Sequence, residues 1–190
     1  MEIKVESSPL KDVMVLVPDV FQDGRGFFME TFREDQFKAL GLPTLFVQDN
    51  HSRSAKGVIR GLHFQWEPPM GKLMRVTLGS AFLVAVDIRT GSPNLGKWAG
   101  VVASDENRRQ FWAPAGFARG FCVLSDSAEI QYKCTGLYNN KAESGILWND
   151  PEIGIEWPVA LSDAQLSDKD KKAQTLAQWL DSPNAPHFRY

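Results

Sequence analysis

The sequence predicts a mainly β protein, an antiparallel sandwich or barrel with a short helix near its N-terminus and one helix at its C-terminal end. Three observations carry this. Short apolar runs recur along the chain, separated by turn residues every ~8–12 positions. One of them, Ala81 to Arg89, alternates cleanly, with Phe82, Val84, Val86 and Ile88 on one face. The chain then changes character: Ala173, Leu176, Ala177 and Leu180 have helical spacing.

In order, Asp12 to Val17 reads as an apolar strand and Gly26 to Phe32 as a second, rich in aromatics. Glu34 to Leu40 reads as a short helix stopped by Gly41 and Pro43. Val58 to Gln65 is a strand, followed by a turn at Pro68-Pro69-Met70-Gly71. Lys72 to Leu78, Ala81 to Arg89, Trp98 to Ala103, Gln110 to Ala113, Phe117 to Leu124 and Ala128 to Thr135 continue the series. The C-terminal helix is expected over about 167–180. Ser167 is its N-cap and Asp170 a candidate to close a capping box. No repeat or linker divides the chain, so 1–190 reads as a single domain.

Composition narrows the function. The 190 residues are 43% hydrophobic and 23% charged, which argues against disorder. With 21 basic and 23 acidic residues, no basic excess points to nucleic acid. No apolar run is long enough to span a bilayer, and Met1 to Glu6 lacks a signal-peptide core. A cytoplasmic protein is the expectation. Cys122 and Cys134 are the only cysteines, so no disulfide framework is expected and both read as small core residues. Only three histidines occur, too few for a His-rich metal centre.

Four residues invite a chemical reading, each beside a structural one. His63 alternates onto the face of Ile59 and Gln65; it is a general base or a hydrogen-bonded core histidine. A His-x-His metal pair is absent because Gln65 occupies the second position. Lys72 follows the Pro-Pro turn, where a hairpin would return it beside His63. It is a solvated strand-end lysine or a cation that stabilises an enolate. Tyr132 shares the apolar face of Ile130 and Cys134, as a core tyrosine or a phenolic proton donor. Asp170 is a helix cap or the carboxylate that orients His63. Arg60, within a strand, is costly unless it meets an anion such as a diphosphate.

Taken in order, the motifs resemble the dTDP-4-dehydrorhamnose 3,5-epimerase family from about Phe21 to Leu180. They are Asp23-Gly24-Arg25-Gly26-Phe27-Phe28-Met29-Glu30, Gln48-Asp49-Asn50-His51-Ser52, Arg60-Gly61-Leu62-His63-Phe64-Gln65 and Gly71-Lys72-Leu73-Met74-Arg75-Val76. Ala85-Val86-Asp87-Ile88-Arg89, Pro114-Ala115-Gly116-Phe117-Ala118, Tyr132-Lys133, Trp148-Asn149-Asp150-Pro151 and Leu166-Ser167-Asp168-Lys169-Asp170 complete the set. The resemblance implies a cupin-like jelly-roll barrel, a homodimer with exchanged N-terminal strands, and no metal or other cofactor. It implies His63 as base with Asp170 as its partner, Lys72 at the enolate oxygen and Tyr132 as the acid. For a dTDP-linked sugar it implies contacts from Arg25, Glu30, Gln48, Asn50, Arg60, Glu143 and Lys169. Tyr138 matches the base-stacking position, and Phe28 would approach from the partner's N-terminal segment.

One departure stands out. Where the family usually has His in Gly-Phe-Ala-His-Gly-Phe, this chain has Arg119, at a position that contacts substrate in the family. The implied activity is epimerisation at C3 and C5 of dTDP-4-keto-6-deoxy-D-glucose. Alternatives are a mono-epimerase, an epimerase of a CDP- or GDP-linked 4-keto sugar, a non-catalytic sugar-binding jelly roll, and a metal-dependent cupin. Strict alternation sets Arg60 and His63 on opposite faces, and a bulge at Gly61 would reconcile them.

Overall fold

The computed structural model describes residues 1–190. Its strands are β1 (Ile3–Leu10), β2 (Val13–Pro18), β3 (Val20–Asp23), β4 (Gly26–Met29), β5 (Gln48–Ala55), β6 (Ile59–Gln65) and β7 (Lys72–Leu78). Then come β8 (Ser80–Asp87), β9 (Trp98–Ser104), β10 (Gln110–Ala113), β11 (Phe117–Val123), β12 (Ser127–Cys134) and β13 (Glu143–Gly145). Helices are short: α1 (Glu34–Ala39), α2 (Asp168–Lys171) and α3 (Leu176–Leu180), with a 3-10 turn at Ala185–Phe188. One sheet has the order β1-β2-β10-β7-β12-β5 and the other β13-β6-β11-β8-β9; β3 and β4 form a separate hairpin. The two large sheets face each other as an antiparallel jelly-roll barrel.

Period-two patterning explains the packing. Met74, Val76, Phe111 and Ile130 of the first sheet meet Leu83, Phe117, Phe121 and Val123 of the second in the barrel's apolar core. The outer face of the second sheet is also apolar. Its Ile59, Leu62, Phe64, Val84 and Val86 are covered by Ile146, Trp148, Trp157, Leu176, Trp179 and Phe188. β11 is buried along its whole length because both of its faces are covered. On the first sheet, Phe37 of α1 packs on Leu16, Leu73 and Trp112.

The strands expected at Lys72 to Leu78 and Gln110 to Ala113 are found with those bounds, and α1 ends one residue early. Four strands escape the sequence reading, among them β3, whose side chains are all exposed. β1 is an edge strand with mostly exposed side chains. β5 turns polar Gln48, Asn50, Ser52 and Ser54 inward, so hydrophobic alternation is missing. β13 has three residues only.

The single C-terminal helix over 167–180 is not found. Gln174 instead bridges to Ile146, with the Leu147 N–H donating to its carbonyl at 2.7 Å. Thr175 then caps a second helix, with Gln178 closing a capping box. Ala177, assigned to the apolar face, is exposed.

The bulge at Gly61 is present. His63 pairs with Arg119 but Arg60 pairs with Phe121, so β6 takes three steps where β11 takes two. Gly61 has φ +127°, and a Cβ there would lie 2.6 Å from Gly120 Cα and 2.8 Å from the Arg119 carbonyl oxygen. The extra residue puts Ile59 with Leu62 and Phe64 in the outer core, not on the face of His63. Arg60 and His63 turn together into the barrel. Gly61→Ala should therefore cost about 3 kcal/mol of stability, through both backbone strain and the clash, read as a lowered Tm.

Candidate active site

Between the two sheets, bordering the apolar core at Met74 and Phe121, lies a cavity of about 140 Å³. His63 and Arg60 line it from β6, Arg119 and Phe121 from β11, Lys72 and Met74 from β7, Tyr132 from β12 and Ser52 from β5. β6 and β7 do not form a hairpin. They lie in different sheets, so Lys72 meets His63 across the cavity rather than beside it. Tyr132 likewise faces His63 from the opposite sheet.

His63 Nε2 and Asp170 Oδ1 are 2.6 Å apart. Asp170 is buried, at 4% exposure. Ser167 Oγ accepts the Asp170 N–H at 3.1 Å, forming half of a capping box. The Asp170 carboxylate does not close that box; it points to the imidazole. Burial alone would raise its pKa, but hydrogen bonds from His63, Ser167 and the Gly61 N–H outweigh this and hold it below the usual carboxylate range. The pair therefore ties the C-terminal segment to the barrel and fixes one imidazole nitrogen, leaving the ring's other edge for chemistry.

Lys72 makes no hydrogen bond or ion pair; its Nζ lies 5.0 Å from the centre of the Tyr132 ring. Burial, reinforced by the Arg119 guanidinium and opposed by Cys134 and Glu143, lowers its pKa to about 8. Burial pushes the Tyr132 phenol up, so it keeps its proton at neutral pH.

A second hollow of about 350 Å³ opens beside the first and shares Arg60 and His63 with it. Arg60 is exposed, with Nε donating to Ser54 Oγ at 3.1 Å. The bulge turns Arg60 to the cavity mouth, open to an anion, and the arginine buried in a strand interior is Arg119.

Around the mouth runs a chain of hydrogen bonds. Gln48 donates to Asn50 at 3.0 Å and accepts the Tyr138 N–H at 2.8 Å. The Tyr138 hydroxyl donates to Glu143 at 3.2 Å, and Lys169 pairs with the same carboxylate. The Tyr138 ring stays exposed. Arg25, Phe28 and Glu30 are not brought to this site by their own chain. Arg25 bonds Asp23 within the hairpin, Phe28 is exposed on it and Glu30 pairs with Arg33.

Ser52, Ser54 and Met74 were not among the expected site residues; a strand with polar residues at every second position, as in Gln48 to Ser54, was the available signal. Gln65 donates to the Pro68 and Leu137 carbonyls and accepts from the Asn139 N–H, so its amide fastens two loops. No three His, Cys, Asp or Glu side chains cluster in metal-ligand fashion.

The family profile described as dTDP-4-dehydrorhamnose 3,5-epimerase matches residues 7–178. The chain belongs to this family. It is 57% identical over 169 residues to a dTDP-4-dehydrorhamnose 3,5-epimerase of Neisseria gonorrhoeae, covering 89% of this chain but only about half (51%) of that relative. It is 54% identical to the Shigella flexneri enzyme of the same name, covering 90% of this chain and 95% of that one. Among solved structures it is similar to a Legionella pneumophila dTDP-6-deoxy-D-glucose-3,5-epimerase in complex with dTDP-4-keto-L-rhamnose. There the TM-score is 0.93 at 45% identity, over 100% of this chain and 99% of that one.

The titration of Lys72 gives a signed expectation for this family member. Its charge is present below pH 8 and lost above it, so kcat/KM should fall on the alkaline side with a midpoint near 8. Lys72→Arg should carry that limb to higher pH, because a guanidinium holds its proton more strongly than an ammonium in the same surroundings. Asp170→Asn should lower kcat about 10²-fold or more with the fold retained, by removing the carboxylate that holds the His63 imidazole.

Proposed function

We propose that the chain epimerises C3 and C5 of dTDP-4-keto-6-deoxy-D-glucose, giving dTDP-4-keto-L-rhamnose, without redox cofactor or metal, as a cytoplasmic isomerase formed by residues 1–190. One observation carries the reading: a carboxylate-held imidazole and a protonated phenol lie on facing sheets, with an unpaired lysine in the same cavity.

The 4-keto group acidifies the hydrogens on C3 and C5. His63 removes one from a single ring face. The electron pair of the broken C–H bond delocalises onto the C4 oxygen, where the Lys72 ammonium meets the developing charge. Tyr132 returns a proton to the opposite face, inverting the carbon with no net oxidation. The mouth network of Gln48, Asn50, Tyr138, Glu143 and Lys169 suits a nucleoside, with Tyr138 free to stack on the base. Arg60 suits the diphosphate.

Arg25, Phe28 and Glu30 complete the nucleotide site from a second copy in this reading. The hairpin that carries Arg25 and Phe28 exposes Phe21, Phe27 and Phe28, a surface that a homodimer would cover.

In deuterated water, NMR should show deuterium entering C3 and C5 of the sugar. Deuterium at one carbon only would indicate a mono-epimerase, and none would redirect the search to CDP- or GDP-linked keto sugars. His63→Ala should lower turnover ~10³-fold with little change in fold. Tyr132→Phe should depress product formation more than wash-in of solvent deuterium, and equal losses count against the donor role. Exhaustive chelation should leave the rate unchanged. Refolding an equal mixture of Arg25→Ala and His63→Ala chains should restore activity that neither homodimer has, since one mixed site receives both native residues.

A further inference from the structure

Gln65 stands on β6 where a His-x-His pair would carry its second imidazole, two residues beyond His63 and on the same face of the strand. It is buried, at 3% exposure, yet is not part of the wall of the cavity that His63 lines. Its amide is committed to main-chain groups. Nε2 donates to the Pro68 carbonyl at 3.0 Å and to the Leu137 carbonyl at 2.9 Å, and Oε1 accepts the Asn139 N–H at 2.8 Å. Two carbonyls and one N–H admit only this orientation of the amide.

Leu137 and Asn139 flank Tyr138, whose own N–H donates to Gln48 at 2.8 Å. The peptide groups on both sides of Tyr138 are therefore held. The Tyr138 hydroxyl donates to Glu143 at 3.2 Å, and Glu143 is the residue opposite Gln65 in the β6–β13 ladder. One rung of that ladder thus grips Tyr138 by its backbone and by its phenol. Leu137 and Tyr138 are 60% and 59% exposed, so apolar burial does not hold this loop. A hydrogen-bonded frame does, and Asn139 Nδ2 adds to it by donating to the Glu67 carbonyl at 2.8 Å.

We propose that Gln65 is a positioning residue for the nucleotide: it fixes the Tyr138 ring at a set span from His63, so that a nucleoside diphosphate stacked on the ring brings its sugar to the imidazole. The proposal rests on the epimerase reading above, with Tyr138 as the stacking platform. The span is set along β6, where two residues rise ~7 Å. β6 is paired on both sides, by β13 and β11, so His63 and Gln65 keep their separation. The bond to Pro68 ties the same frame to the turn that leads into Lys72. Because the loop is ordered before ligand arrives, binding is spared the cost of ordering it. Gln65 acts through Tyr138 and exchanges no proton.

The test is a double-mutant cycle on dTDP affinity, read by calorimetry, with turnover of dTDP-4-keto-6-deoxyglucose measured beside it. Gln65→Met keeps the length of the side chain and loses all three hydrogen bonds. It should weaken dTDP binding about tenfold in the native chain but roughly twofold or less in a Tyr138→Ala background. In the native background kcat should fall about tenfold too, with deuterium wash-in and product formation reduced alike, because a displaced ring draws the sugar away from His63. An equal loss of affinity in both backgrounds means that Gln65 serves the fold at large and overturns the proposal. Native dTDP affinity in a folded Gln65→Met chain overturns it as well, and weakened binding with native kcat overturns the span to His63. Should Gln65→Met fail to fold, Gln65→Asn, whose amide stops one methylene short of the loop, decides by the same cycle. A native chain that exchanges neither C3 nor C5 overturns the epimerase reading, while the affinity cycle still decides the link between Gln65 and Tyr138. Native exchange with an additive cycle removes this proposal alone.

Discussion

A one-residue bulge on β6 sets the geometry on which the site depends. Side chains on a strand alternate between faces, so one extra residue transfers everything beyond it to the other face. Here the transfer happens between Arg60 and His63. Leu62 and Phe64 can then stay in the outer core with Ile59 while Arg60 and His63 both face the barrel. Only glycine fits the bulged position, because Gly120 of β11 crowds it from the facing strand. The same residue's N–H helps hold the Asp170 carboxylate charged, so the bulge and the His63–Asp170 pair form one unit.

The barrel interior consequently has two parts. Part is a close-packed apolar core; bordering it, the cavity carries three cationic side chains, an imidazole and a phenol. Burial of unpaired charge is unfavourable. The fold tolerates it because the second sheet is covered on both faces and the first sheet has its own cluster around Phe37 and Trp112. A low-dielectric cavity is also where charge acts most strongly on a developing enolate. The environment that lowers the Lys72 pKa is thus the one that suits the chemistry proposed for it.

The mouth, proposed above to take the nucleotide, is built differently. Its residues are tied to one another by side-chain hydrogen bonds at the mouth and come from β5, β13, α2 and the loop around Tyr138. The hairpin carrying Arg25 and Phe28 stands apart from the barrel cavity. A second copy of the chain is the proposed source of those residues at each site.

Much of this was legible in the sequence. Strands buried on one or both faces, such as β7, β8 and β11, show in the order of apolar residues, and so does α1. The motifs around His63, Lys72, Tyr132 and Asp170 indicated the family, and the conflict between Arg60 and His63 pointed to a bulge at Gly61. Local pattern was silent where contacts are long-range. β5 has a polar inner face because it lines the site. The C-terminal helical period breaks because Gln174 is drawn to Ile146, a partner 28 residues away. Tertiary structure alone decided that Lys72 and Tyr132 face His63 from the opposite sheet. It alone decided that Arg119, and not Arg60, is the arginine buried in a strand interior. Periodicity assigns a residue to a face of its own strand, whereas the approach of two sheets assigns its partners.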